Sequence, residues 1–103
     1  MSTIPTEAPR HDVEEAPGLD DLADAFLTLR TRDELRRFLR DLCTLGELEA
    51  LAHRWQIVRL LDQGLPYLEI AQRVQTSTAT VTRVAQWLRH GAGGYALALD
   101  RTR

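Results

Sequence analysis

The chain is 103 residues long, with 27% charged and 44% hydrophobic residues, the size and composition of one globular domain. No apolar run approaches the roughly 20 residues of a membrane span, and the N-terminus lacks the apolar segment of a secretion signal, so a cytoplasmic protein with no membrane partner is expected. The net charge of −2 conceals an asymmetry: residues 1–29 hold seven acids and one arginine, residues 30–103 twelve arginines and eight acids, so the body of the chain is basic and suits a polyanionic partner.

Residues 1–18 carry three of the four prolines, several acids and little that can be buried, and read as a disordered acidic tail. A first helix begins near Leu19, with Leu22, Phe26 and Leu29 on one face and Asp20 and Asp21 near the positive end of its dipole. Thr31-Arg-Asp-Glu34 is a capping box that starts a second helix, whose stripe is Leu35, Phe38, Leu39 and Leu42. Its Arg36, Arg37 and Arg40 lie one turn from Asp33 and Asp41, the spacing of a solvated ion-pair face. Cys43 is the single cysteine and reads as a buried thiol at the helix end. A second box, Thr44-Leu-Gly-Glu47, opens a third helix over 45–63. Leu45, Leu48, Leu51, Ala52, Trp55 and Val58 form its main stripe, Ile57, Leu60 and Leu61 spread around it, and Gly64 closes it.

Residues 67–88 then read as two short helices joined by a tight turn. Ile70, Ala71 and Val74 supply the inward contacts of the first, and Val81, Val84 and Leu88 those of the second. The outward positions are rich in short hydroxyl side chains, more than helix capping requires. That combination marks a helix-turn-helix for the major groove of double-stranded DNA. The DNA-binding candidates are Arg73, Thr76, Ser77, Thr78, Ala79, Thr82, Arg83 and Gln86. Arg73 suits a phosphate; Thr78, Thr82 and Gln86 suit base edges; Arg83 suits guanine, phosphate or an effector carboxylate. A flexible break follows over 89–94, and 95–99 forms one last helical turn or a docked tail. No segment alternates as a strand does, so the fold is all-α, with five to six short helices.

A third helix apolar on more than one face needs more cover than short neighbours provide, and a homodimer supplies it. Arg54 either snorkels from this helix to solvent or pairs with Glu47 or Glu49, Trp55 belongs to the core, and Trp87 is either core or the lid of a pocket. The histidines stand apart, with no second metal ligand at i+3 or i+4. No nucleophile–base pair, carboxylate pair or phosphate-binding glycine loop stands out, so neither an enzyme nor a bound cofactor is expected.

The pattern Leu-x-Ala-Leu-x-x-Arg-x-x-Ile-Val over residues 48–58, the Ala79-Thr-Val-Thr-Arg83 core and the Cys-Thr before the long helix resemble the Trp repressor superfamily. Within that superfamily the chain looks most like the YerC/YecD branch, over about residues 20–101. The resemblance implies an intertwined helical homodimer in which 19–101 is the DNA-binding domain. It also implies an effector pocket at Arg54, Thr80 and Arg83, where the Trp repressor clamps tryptophan between two arginines. Val84 and Trp87 replace a glycine and a serine of that pattern and fill the space an indole would need, so tryptophan is not expected as the effector. The expected function is transcriptional regulation by repression. The alternatives are a protein-interaction adaptor that kept the fold, or the DNA-binding module of a transposase or sigma-like system.

Overall fold

The computed structural model describes residues 16–103, so the proposed tail falls largely outside them. Six helices and no strand are present among these residues: α1 (Leu19–Thr28), α2 (Arg32–Leu42), α3 (Leu45–Asp62), α4 (Tyr67–Val74), α5 (Thr78–His90) and α6 (Gly94–Thr102). They fall into two compact units, one ending at Leu45 and one running from Gly46 to Arg103.

In the first unit, the Phe26 ring of α1 meets the Phe38 ring of α2 edge-on, with centroids 5.5 Å apart, an arrangement the ring quadrupoles favour. The capping box forms in one half, and its other half is shifted by a residue. The Thr31 hydroxyl accepts the Glu34 amide at 3.1 Å, while the Glu34 carboxylate reaches one residue further back and accepts the Arg30 amide at 2.8 Å. Arg37 and Asp33 pair at 3.2 Å with both side chains largely exposed, a contact worth only about 0.2–0.5 kcal/mol. Cys43 is a free, half-buried thiol.

The second unit contains the fully buried side chains. Ile57 and Val58 of α3 pack with Ile70, Ala71 and Val74 of α4, Val81 and Val84 of α5, and Leu99 of α6. Gly64 ends α3 in the left-handed region (φ +84°), so that the amides of Gly64 and Leu65 turn back onto the carbonyls of Leu61 and Leu60. A side chain would strain that conformation. Arg103 at the C-terminus donates to Asp62 at 2.5 Å, and this hydrogen bond, with the carboxylate's charge, raises its guanidinium pKa above the ordinary arginine value.

Two expectations are corrected. Of the long stripe on α3 only Val58, near its C-terminal end, is fully enclosed: Leu48 and Trp55 are half-buried, whereas Leu45 and Leu51 remain 63% and 46% exposed. The inward positions there are Ile57 and Val58, because α4 and α5 pack against the second half of the helix alone. The segment 95–99 is longer than the single helical turn expected of it, and it docks, as the other reading had it. It lies within the nine-residue α6, whose Leu99 enters the core and whose Tyr95 packs against it. The truncation Leu99→Ala should therefore cost about 2–5 kcal/mol, as for a core leucine. Urea unfolding would measure it, and a cost under about 0.5 kcal/mol would signify a surface residue.

Candidate nucleic-acid interface

The reading unit is α4, a turn and α5. Pro66 precedes α4 in extended geometry (φ −64°, ψ 148°), where its missing N–H removes no helical bond. Gln75 ends α4 in the left-handed region (φ 63°, ψ 53°) and is the only non-glycine residue with positive φ among the described residues. The amides of Gln75 and Thr76 both return to the Ala71 carbonyl, which closes the helix as a Schellman-type end and reverses the chain in a few residues. Ser77 then caps α5, its hydroxyl accepting the Thr80 amide at 3.1 Å. The amides of Thr78 and Ala79 are left at a helix start, where anions are favoured.

Packing decides which face of α5 turns outward. Val81, Val84 and Ala85 are buried and Leu88 is half-buried, so Ala79, Thr82, Arg83 and Gln86 line the exposed side, with Ser77 and Thr78 at its start. Ala71, at 5% exposure, is small enough to let α4 and α5 approach closely. At the far end of the pair, Arg89 of α5 donates to the Tyr67 hydroxyl of α4 at 2.9 Å. This strut ties the start of one helix to the end of the other. Neither the strut nor the strained Gln75 stood out in the sequence: the first needs the helix crossing, and no glycine or asparagine betrays the second.

The candidate site residues do not all converge. Arg73 is ion-paired with Glu69 one turn earlier, at 2.7 Å, so a phosphate would have to compete with that carboxylate. Arg73 also lines an open groove of about 300 Å³ between α3 and α4, together with Gln56, Arg59, Leu60, Gln63 and Val74. Thr76 is half-buried in the turn. Arg83 lies on the outer face, its guanidinium 3.4 Å from the Thr80 hydroxyl.

The sequence pattern of the Trp repressor protein family matches residues 17–103, and the uncharacterized Bacillus subtilis protein YerC is 40% identical over 85 residues, 82% of each chain. The chain belongs to the Trp repressor family. A Trp operon repressor homolog of Chlamydia trachomatis is 39% identical over 70 residues, 63% of this chain and 74% of that one. The fold agrees with the crystal structure of a proposed Trp repressor from Staphylococcus aureus (TM-score 0.83, 38% identity, covering 93% of this chain and 95% of that one). It also agrees with a TrpR-like protein from Eubacterium eligens (TM-score 0.81, 32% identity, covering 88% and 94%).

Within this family member, the residues matched to an effector pocket are dispersed in burial. Arg54 is exposed on α3, Thr80 is half-buried, and Val84 is 6% exposed. None of Arg54, Thr80, Arg83, Val84 and Trp87 lines the groove that Arg73 borders. Trp87 is not core, since it is 47% exposed. Its indole lies along its own helix end, where Cε3 would be 3.0 Å from a Cβ at position 91 and the Trp87 carbonyl closer still. Only glycine fits at 91.

The left-handed Gln75 supplies a direct test of the turn. Gln75→Gly removes the strain of a side chain in that region, offset in part by extra freedom of the unfolded chain. A gain of about 0.5–1 kcal/mol is expected, seen as a melting temperature higher by several degrees. Destabilisation would show that the turn does not hold this geometry in solution.

Proposed function

We propose that this Trp repressor family member is a homodimeric regulator that binds double-stranded DNA sequence-specifically through α4 and α5 and represses transcription by blocking promoter access. The observation that carries the reading is the division of α5 into two faces. Val81, Val84 and Ala85 are consumed by packing, while Ser77, Thr78, Thr82, Arg83 and Gln86 stand exposed on a helix of the length and position that enters a major groove. The guanidinium of Arg83 supplies donors for guanine or phosphate, the small Ala79 permits close approach, and Gln86 offers an amide to a base edge. Arg73 would serve a phosphate by exchanging Glu69 for it. Family membership supports repression over catalysis, the family being one of repressors.

Dimerisation is supported by the apolar surface left in water. Besides Leu45 and Leu51, Leu27 and Leu42 are exposed, more than an isolated chain of this size hides. A second copy covers such helices, and a symmetric pair of reading heads meets two half-sites about one DNA turn apart. Sedimentation should give twice the chain mass, and Leu51→Glu should shift it toward the monomer.

Tryptophan is not the effector in this reading. Val84 fills the position next to Arg83, and Trp87 brings an indole to the same helix. Isothermal calorimetry with L-tryptophan should show no saturable binding at micromolar concentration. DNA binding itself is tested by genomic footprinting of the tagged protein, where paired half-sites are expected. Affinity for such a site should fall steeply with salt, as phosphate neutralisation requires, and Arg83→Ala should abolish the footprint. Footprints indistinguishable from an untagged control, with the cellular readout unaffected by Arg83→Ala and Thr82→Ala, would favour the adaptor reading instead. The acidic N-terminal segment, residues 1–18, competes with DNA for the basic body, so its deletion should tighten non-specific binding at low salt.

A further inference from the structure

The start of α5 carries five hydroxyl side chains, Thr76, Ser77, Thr78, Thr80 and Thr82, and hydrogen bonding separates their roles. Ser77 and Thr80 serve each other. The Ser77 oxygen accepts the Thr80 amide and lies 3.1 Å from the Thr80 hydroxyl, which also stands 3.4 Å from a guanidinium nitrogen of Arg83. Thr82 is different. Its hydroxyl is 2.9 Å from the Thr78 carbonyl one turn earlier, and a carbonyl can only accept, so the proton of Thr82 is committed to its own helix. Toward solvent this exposed residue offers lone pairs and a methyl group, and no donor.

We propose that Thr82 selects a base that presents an amino group, N6 of adenine or N4 of cytosine, by accepting its hydrogen bond. The inference rests on the major-groove reading of α5 proposed above and narrows it. Guanine offers O6 and N7 and thymine offers O4, all acceptors that would face the Thr82 lone pairs with no proton between them. Thymine's methyl group does not repair that mismatch. The next residue has the opposite polarity: Arg83 carries donors alone and suits guanine. Thr82 and Arg83 thus form an acceptor–donor pair in consecutive positions, a recognition pattern with a defined sign at each.

The test starts from duplexes selected by the wild-type protein from a random pool. At each enriched adenine or cytosine, the base is replaced in turn by purine or by 2-pyrimidinone, which keep the ring and lack the amino group. These two arms also tell adenine from cytosine. At one position per half-site, wild-type affinity should fall roughly fivefold to a hundredfold. Thr82→Val, which keeps the branched shape and loses the oxygen, should bind the natural and the altered duplex equally well. Its helix content and melting temperature report that it has folded. If Thr82→Val suffers the same loss as the wild type at every sensitive position, or if no amino deletion weakens wild-type binding, the inference is wrong. A wild-type protein that enriches no sequence at all would instead overturn the DNA-reading function on which it rests.

Discussion

The contact between α4 and α5, braced by the C-terminal half of α3, sets everything else in the second unit. Ile57 and Val58 form a floor from which water is excluded, and Ile70, Ala71, Val74, Val81 and Val84 close over it. Burial of each branched side chain is worth about 1.5–3 kcal/mol, so the angle at which α5 stands is held by the same residues that stabilise the unit. The turn at Gln75 and the Tyr67–Arg89 strut act within limits set by that packing. A side chain on the outer face of α5 is therefore presented from a fixed platform, a condition for reading base edges.

The chemistry of the outer face depends on hydrogen bonds made within the helix before any ligand arrives. Ser77 spends acceptor capacity on capping, and Thr82 spends its donor on the Thr78 carbonyl. Five similar hydroxyls thereby become unlike groups. The groove between α3 and α4 has a different character, with Arg59 and Arg73 above Leu60 and Val74. It is separate from the residues matched to an effector pocket, and the half-exposed Trp87 leans over Gly91 at the far end of α5.

The starts of α2 and α3 and the end of α3 are legible because capping residues and Gly64 act locally, through atoms a few bonds apart along the chain. The inward set Ile70, Ala71, Val74, Val81 and Val84 was legible because α4 and α5 are short and their polar and apolar residues segregate. On α3 the buried side is not legible in this way: that helix is apolar nearly all round, so periodicity cannot say which leucines find a neighbour. Leu45 and Leu51 stayed exposed, and Ile57 took the central place. The glycine-rich approach hid the length of α6, since Gly93 and Gly94 look like a linker until Leu99 is seen in the core.

The amino-acid sequence by itself determined the helical class, the order of the elements, the helix-turn-helix and membership of the Trp repressor family. These rest on spacing, capping chemistry and residue identity, which are properties of neighbours along the chain. The tertiary structure decided what depends on neighbours across it: which half of α3 is enclosed, that Gln75 adopts the left-handed conformation, that Arg73 is engaged by Glu69, and that Trp87 lies outside the core. The polarity of Thr82 falls between the two. Its carbonyl partner is only four residues away, yet its outward exposure exists because Val81, Val84 and Ala85 claim the opposite side of the helix.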